Sequence, residues 1–417
     1  MMGSNTNRVS GRAWMLVWII WIGYMVVNLT NFSIGIMMPD IAAELNLSLT
    51  QQGWLSASSW ILKAIFSIPI ALMLAKFNAK YVLQMVLTLV SIGILLQGFA
   101  QNYAMVFIGR ALVFGVAGAM LAPLAVVKIK LIPKEKLSFI NGVEAFTGPA
   151  GQAMGTALVP FLLATLGGWR STLIMLGVIG AVVAILWLLL CHKEDGESES
   201  MIQARQQKIR VIEPFKEALR TRTILLLALG WWGTGLIWNA TYTFWPTYAQ
   251  DTLNLTLAQS GQILGLLPIG SIVGSLTAPK IADWIGYDKW MICPWGFILP
   301  FTYFGMLITP SVPLLCALSF IAGYGAYAFV PVAFTAIYKV KNITPIAVSV
   351  GLAMIYTTNG VGGALGGMLS AYLADSFGMV TALKLCCLSP FIFGILTLFL
   401  PKTGRKVEAK EAKEDNA

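Results

Sequence analysis

The chain has 417 residues, of which 57% are hydrophobic and only 11% are charged, and its mean hydropathy is +0.77. A soluble domain carries about 25% charged residues, so this composition excludes a water-soluble globular protein. The apolar residues come in repeated blocks of roughly 20, the length that an α-helix needs to cross the hydrocarbon core of a bilayer. The composition therefore predicts a multi-pass membrane protein.

Twelve apolar blocks follow one another along the chain, and we number them spans 1 to 12. They are Trp14–Met38, Gly53–Leu74, Tyr81–Ala100, Met105–Val127, Phe139–Leu163, Ser171–Cys191, Thr223–Pro246, Ala258–Ile281, Lys289–Thr309, Pro313–Tyr338, Pro345–Leu373 and Met379–Leu400. The first block is too long for the core of a signal peptide and is followed by no small-residue cleavage site, so we interpret it as a membrane helix. Because these blocks are too long for barrel strands, the predicted fold is all-α, with two six-helix bundles.

The positive charges alternate between successive loops. All but four of the 28 Lys and Arg residues fall in the loops on one side, together with both termini. Cytoplasmic loops carry an excess of Lys and Arg, so both termini are predicted to be cytoplasmic. The same distribution explains the formal net charge of +10 without nucleic acid as a partner.

Residues 192–222 form the longest polar stretch, which begins acidic and ends basic. Its second part is compatible with a surface helix, although a solvated cytoplasmic linker is the favoured interpretation. This linker separates an N-terminal bundle (residues 1–191) from a C-terminal bundle (223–401), and a cytoplasmic tail (402–417) follows.

The two halves are related in sequence. Asn46-Leu-Ser-Leu-Thr-Gln-Gln-Gly53 matches Asn254-Leu-Thr-Leu-Ala-Gln-Ser-Gly261, each directly before an even-numbered span and 208 positions apart. The same offset brings Ala75, at the inner end of span 2, onto Asp283 at the inner end of span 8. Duplicated halves are a common transporter architecture, with the substrate site near the middle of the membrane.

Several motifs in this frame resemble one family. The loop after span 8 reads Asp283-Trp-Ile-Gly286-Tyr-Asp-Lys289. The loop after span 2 is a degenerate (worn) copy of this motif and reads Ala71-Leu-Met-Leu-Ala75-Lys76-Phe-Asn78-Ala-Lys80. Span 4 contains Arg110-Ala-Leu-Val-Phe-Gly115-Val-Ala-Gly118. Gly168-Trp169-Arg170 precedes span 6, and Leu400-Pro401-Lys-Thr-Gly404-Arg405-Lys406 follows span 12. In this order and spacing they resemble the major facilitator superfamily.

The opening of the chain narrows this resemblance. Tyr24–Pro39 and Leu47–Gly53 are similar to carriers of organic anions and to cyanate- and nitroimidazole-type carriers within the superfamily. The arginine that anion–cation symporters usually carry near Thr30 is absent. The resemblance implies alternating-access transport, and it implies that Asp283, Gly286 and Lys289 contribute to conformational gating.

Ionisable residues inside membrane spans are costly and are therefore candidates for function. Lys63 lies in the middle of span 2, on a polar stripe with Ser56, Ser59 and Ser67 at helical spacing. An ammonium group there attracts an anion as a point charge. The structural alternative is pairing with a backbone carbonyl or with Glu144.

Two further charges lie within spans 4 and 5. Arg110 presents a rigid fork of donors that suits a carboxylate or a phosphate, although the superfamily also uses an arginine here for gating or proton handling. Burial of the Glu144 carboxylate favours proton uptake, which makes Glu144 the candidate for proton coupling. The alternative role of Glu144 is a structural salt bridge to Lys128 or Lys130.

The second half carries aromatic and amide side chains instead of central charges. Such residues need hydrogen-bond partners away from water, so a share of them is expected to line a wet cavity, while the rest serve packing. The candidate substrate-binding residues of this kind are Tyr24, Asn28 and Asn31 on span 1 and Trp238, Tyr242, Tyr324, Tyr327, Tyr356 and Asn359 in the second half.

The leading hypothesis is a secondary transporter, coupled to protons or to a counter-substrate, that moves a small organic anion such as a carboxylate. It is expected to act as a monomer in the cell membrane, within the lipid bilayer. We expect no cofactor or metal, because the five cysteines and His192 show no metal-ligand spacing, and no enzymatic activity, because catalytic pairs are missing. Two alternatives remain, an efflux pump for hydrophobic or aromatic compounds and a non-transporting membrane sensor.

Overall fold

The structure, a computed structural model, describes residues 10–74, 77–117, 120–196, 212–340 and 343–407. Within these residues all regular structure is helical, as predicted. The helices are α1 (Gly11–Leu45), α2 (Leu49–Leu74), α3 (Ala79–Gly98), α4 (Tyr103–Ala117), α5 (Leu121–Leu131), α6 (Lys134–Ala157), α7 (Val159–Leu166), α8 (Trp169–Leu190), α9 (Ile212–Arg220), α10 (Arg222–Asp251), α11 (Leu257–Ile285), α12 (Lys289–Ile308), α13 (Val312–Tyr338), α14 (Pro345–Phe377), α15 (Met379–Cys386) and α16 (Pro390–Thr397). A 3₁₀ turn, Lys193–Gly196, follows α8.

Eight helical stretches in the described part of the chain are long and apolar enough to cross a membrane, and nine if the bent pair α6 and α7 is one span. A helix covers each of the twelve predicted blocks, but spans 4, 5 and 12 are each divided into two helices. The two parts of span 5 meet at an angle of 47°, next to Pro160, which has no N–H for the helical ladder. Twelve crossings with cytoplasmic termini stay a prediction.

The chain divides into two compact units. Unit 1 comprises Met1–Leu47 and Ser58–Lys208, and unit 2 comprises Ser48–Ala57 and Ile209–Ala417. The first turns of α2 are therefore grouped with unit 2, and the rest of this helix is grouped with unit 1.

In unit 1, α1 packs against α6 and α8, and α3 packs against α4 and α8. Glycines make the contact between α1 and α6 close: a Cβ atom at Gly155 would lie 2.5 Å from the carbonyl oxygen of Leu29. In unit 2, α10 packs against α14 and α11 packs against α13. A Cβ atom at Gly362 of α14 would lie 1.9 Å from the carbonyl oxygen of Trp232. At both contacts the absence of a side chain lets the two helix backbones approach closely.

The predicted linker contains regular structure at both ends. The 3₁₀ turn Lys193–Gly196 lies in its acidic part and α9 lies in its basic part. Residues 197–211 of the linker, residues 408–417 of the predicted tail, and Ala75 and Lys76 of the worn motif lie outside the described residues.

Candidate functional site

Arg110 is the most deeply buried charged side chain among the described residues, with 1% of its surface exposed. Helix α4 places its guanidinium group 2.6 Å from Ser59 Oγ of α2 and 3.3 Å from Asn31 Oδ1 of α1, and it donates to both oxygens. The guanidinium carbon lies 4.9 Å from the centre of the Phe114 ring, one helical turn further along α4. Three helices of unit 1 therefore hold the planar group in a defined orientation.

The three predicted residues of α1, Tyr24, Asn28 and Asn31, lie in different environments. Asn31 contacts Arg110, as described, whereas the Asn28 amide donates to the Tyr24 carbonyl oxygen at 2.8 Å. The Tyr24 ring lies beside Gly148 of α6, where a Cβ atom would approach it to 3.3 Å. Of these three predicted residues, the structure brings Asn31 to Arg110 and places Tyr24 against α6.

Lys63 lies one turn beyond Ser59 on α2, so Ser59, which contacts Arg110, and Lys63 lie on the same side of this helix. Lys63 is exposed, and its Nζ atom lies 6.0 Å from the centre of the Trp60 ring. The predicted serine stripe is not uniform, since Ser56 contacts unit 2 residues instead. The side chain of Ser67 lies outside the described part of the chain.

Glu144 of α6 forms an ion pair with Lys128 of α5. Only 6% of the Lys128 side chain and 16% of the Glu144 side chain are exposed. This contact agrees with the salt-bridge alternative for Glu144, with Lys128 as the partner. The ammonium group of Lys130 instead donates to the carbonyl oxygen of Glu194. Proton coupling by Glu144 stays a prediction.

In unit 2, an amide network joins the first turns of α2 to α10 and α14. Asn239 donates to Ser56 Oγ at 3.0 Å and to the Gly363 carbonyl oxygen at 2.6 Å. The hydroxyl group of Thr243 lies 2.5 Å from Ser56 Oγ. These partners give the Asn239 amide a structural role.

An aromatic cluster in unit 2 also contains buried polar atoms. The Trp238 ring lies 5.1 Å from the Tyr242 ring and 5.2 Å from the Tyr327 ring. Tyr303 of α12 is a neighbour of Tyr242 and Tyr327 in this cluster. The indole nitrogen of Trp238 and the hydroxyl of Tyr303 are buried and have no hydrogen-bond partner among the described residues. The cluster thus offers two donors to a ligand or to water.

The other predicted residues of unit 2 have protein partners. The Tyr324 hydroxyl lies 2.9 Å from Thr277 Oγ1. Asn359 donates to the Trp231 carbonyl oxygen at 3.3 Å, and the Tyr356 ring lies 5.5 Å from the Trp231 ring. Tyr356 is 56% exposed. The structure therefore groups Tyr356 and Asn359 around Trp231 and leaves Tyr324 beside α11.

The predicted gating motif lies where α11 ends. Gly286 ends this helix with φ +84°, Lys289 donates to the Leu398 carbonyl oxygen, and Asp283 is exposed. Sequence reasoning missed Asp288, which is buried, accepts a hydrogen bond from Lys339 at 3.2 Å, and donates its own N–H to the Thr403 carbonyl oxygen at 2.9 Å.

The corresponding loop of unit 1 makes a related contact. Asn78, which stands 208 positions before Gly286, accepts from the N–H of Lys80 and donates to the Lys193 carbonyl oxygen at 2.8 Å. The same segment after α8 contains Asp195, which pairs with Arg12 at 2.5 Å. In both units the loop therefore bonds to the segment that follows the last helix of its half.

Comparison with known proteins is consistent with this architecture. The family model described as Major Facilitator Superfamily matches residues 20–301. The chain is 24% identical to the uncharacterised MFS-type transporter YceJ of Bacillus subtilis (strain 168), over 95% of this chain and 99% of that protein. It is 22% identical to monocarboxylate transporter 11 of Mus musculus, over 90% of this chain and 85% of the relative.

Solved structures agree in fold. An inward-facing, unoccupied bacterial homologue of the human lysosomal transporter Spinster superposes with a TM-score of 0.74 at 16% identity. The superposition covers 94% of this chain and 95% of that protein.

Proposed function

Because the chain belongs to the major facilitator superfamily, we propose that it moves a small organic anion, with a carboxylate as its charged group, across the cell membrane by alternating access. The chain is a membrane transporter, and its twelve spans, cytoplasmic termini and coupling to protons or a counter-substrate belong to the proposal. The observation that supports an anionic substrate is the buried guanidinium group of Arg110, which donates hydrogen bonds to Ser59 and Asn31.

Charge balance within unit 1 supports an anion. Glu144 is paired with Lys128, and Arg110 and Lys63 place two positive charges within the predicted spans of this unit. A buried or partly buried positive charge on a positioned fork recognises carboxylates better than neutral molecules. Monocarboxylate transporter 11, a relative over most of the chain, is named for substrates of this class.

Unit 2 supplies neutral donors. Within unit 2, the Trp238 indole and the Tyr303 hydroxyl are proposed as donors for an uncharged ligand group, because a buried donor gains from any acceptor that reaches it. The nearby predicted residues Tyr242 and Tyr327 would then supply ring surface. Tyr303 is an addition to the candidates taken from the sequence.

A ligand screen with matched pairs tests the charge requirement. Purified full-length protein is heated with lactate or lactamide, and with benzoate or benzamide, and the thermal unfolding midpoint is recorded. We expect only the carboxylates to stabilise the protein. Arg110→Gln should weaken that binding by about 2–5 kcal/mol, roughly 30-fold or more, whereas Arg170→Gln, which removes the arginine at the start of α8, should not.

Uptake of the stabilising carboxylate into proteoliposomes then tests transport. Lys63→Gln should lower its uptake if Lys63 contacts the anion. Equal stabilisation by an acid and its amide would contradict the proposal. So would drug tolerance conferred on cells without any carboxylate uptake, because that result identifies an efflux pump.

A further inference from the structure

Helix α9 is a short helix that contributes no residue to the candidate substrate site. It has nine residues, Ile212–Arg220, and Thr221 alone separates it from α10, which begins at Arg222 and is long and apolar enough to span a membrane. Chain connectivity therefore keeps α9 at the membrane surface where α10 begins. An isolated helix of this length is unstable in water, so its surroundings must stabilise it.

One side of α9 is fixed to the protein. The Glu217 carboxylate accepts hydrogen bonds from the backbone N–H and the hydroxyl group of Thr344, both at 2.7 Å. Thr344 caps the beginning of α14. Ala218, the next residue of α9, is completely buried. These two residues define the inner face of the helix.

The opposite side of α9 combines an apolar strip with a basic one. Phe215 and Leu219 follow each other at i, i+4 and are 44% and 39% exposed. Lys216 and Arg220, also at i, i+4, are both exposed. At 100° per residue the two strips lie side by side and point away from Glu217 and Ala218.

We propose that α9 lies in the headgroup layer of the membrane and binds anionic lipid. Phe215 and Leu219 enter the boundary of the acyl chains, while Lys216, Arg220 and the exposed Arg222 contact lipid phosphate groups. This pattern of adjacent apolar and basic strips is that of helices lying in a membrane interface. Anionic lipids on the predicted cytoplasmic side supply the complementary charge. Acidic Glu213 is 79% exposed and only 3.6 Å from Lys216, so it reduces this attraction without removing it.

Hydrogen exchange of the full-length protein in lipid nanodiscs tests the proposal. The discs contain either phosphatidylcholine alone or equal parts of phosphatidylcholine and phosphatidylglycerol, and the amides of residues 212–220 are followed by mass spectrometry. We expect slower exchange with phosphatidylglycerol, and a smaller difference at high salt. Each basic side chain near an anionic surface contributes about fivefold, so the double variant Lys216→Gln/Arg220→Gln should lose up to ~25-fold of the protection.

A matched double variant, Lys136→Gln/Lys280→Gln, removes two exposed lysines outside α9 and should keep the protection. Phe215→Ser/Leu219→Ser should accelerate exchange in both kinds of disc, and unchanged exchange in α12 and α13 would show that the variants are folded. Equal exchange of α9 in the two lipid compositions would overturn the proposal. A phosphatidylglycerol effect that survives Lys216→Gln/Arg220→Gln would overturn it as well. Neither result depends on the substrate or on transport.

Discussion

Removing the carboxylate of Glu144 should destabilise unit 1 more than removing the ammonium of Lys128. Glu144→Gln leaves the Lys128 charge in a site where only 6% of the lysine side chain is exposed, whereas Lys128→Met leaves Glu144 at 16% exposure. Breaking a buried ion pair costs about 3–5 kcal/mol, because the remaining charge has lost its partner. We place Glu144→Gln in the upper part of this range and Lys128→Met below it. The double variant, which buries no charge at this pair, should be more stable than Glu144→Gln.

Thermal unfolding of the four proteins in detergent measures this order, and their coupling energy follows from the double-mutant cycle. Transport separates a structural pair from a proton carrier. If the pair is structural, Lys128→Met/Glu144→Gln keeps proton-dependent uptake of the stabilising carboxylate. If Glu144 carries the proton, every variant without it loses this uptake but retains exchange of substrate across the membrane. A Glu144→Gln protein as stable as the wild type would refute the reasoning from burial.

Two further predictions concern packing and the segment after α8. Gly362→Ala should lower the free energy of unfolding by about 1–3 kcal/mol or more, because the added Cβ atom would lie 1.9 Å from the backbone oxygen of Trp232. Gly11→Ala, at a position with open space around it, is the control. Equal thermal unfolding midpoints for the two variants would contradict the prediction. Asp195→Asn should cost at most about 1 kcal/mol, since its partner Arg12 is 41% exposed. Arg12→Gln should lower the free energy of unfolding more than Asp195→Asn does, because it leaves the Asp195 carboxylate, whose side chain is only 7% exposed, without this arginine. An additive double variant in thermal unfolding would show that the pair does not interact.

The helices could be predicted from the sequence because lipid requires long apolar helical blocks. The positions at which a span divides into two helices could not be predicted, since a proline such as Pro160 is compatible with either a straight or a bent span. The polar stripe of α2 was predicted by its period, but the period does not tell which neighbours each residue meets. Ser56 bonds to Asn239 and Ser59 accepts from Arg110, and this difference arises from tertiary packing alone.

In the candidate site, too, the sequence does not tell which side chains contact one another. Opposite charges on α5 and α6 predict a salt bridge as one alternative for Glu144, but only the structure identifies Lys128 as the partner. Tyr303 was missed because a single tyrosine in an apolar block has no periodic partner on its own helix. Its neighbours Tyr242 and Tyr327 come from α10 and α13. Tyr303 can be found by comparing the polar residues of different spans with one another.

The internal repeat explains why Asp288 was overlooked. Matching the two halves directs attention to Asp283, which aligns with Ala75 at the inner end of span 2, yet Asp283 is exposed while Asp288 is buried against Lys339. In unit 1, the position corresponding to Asp288 is Lys80, and the buried carboxylate is Asp195, in the segment after α8. Among the described residues, each unit therefore has a buried carboxylate near the loop and its following segment, supplied by a different part of the chain. Because the loop bonds to its following segment through different residues in the two units, a motif search finds the loop but does not identify the buried carboxylate near it.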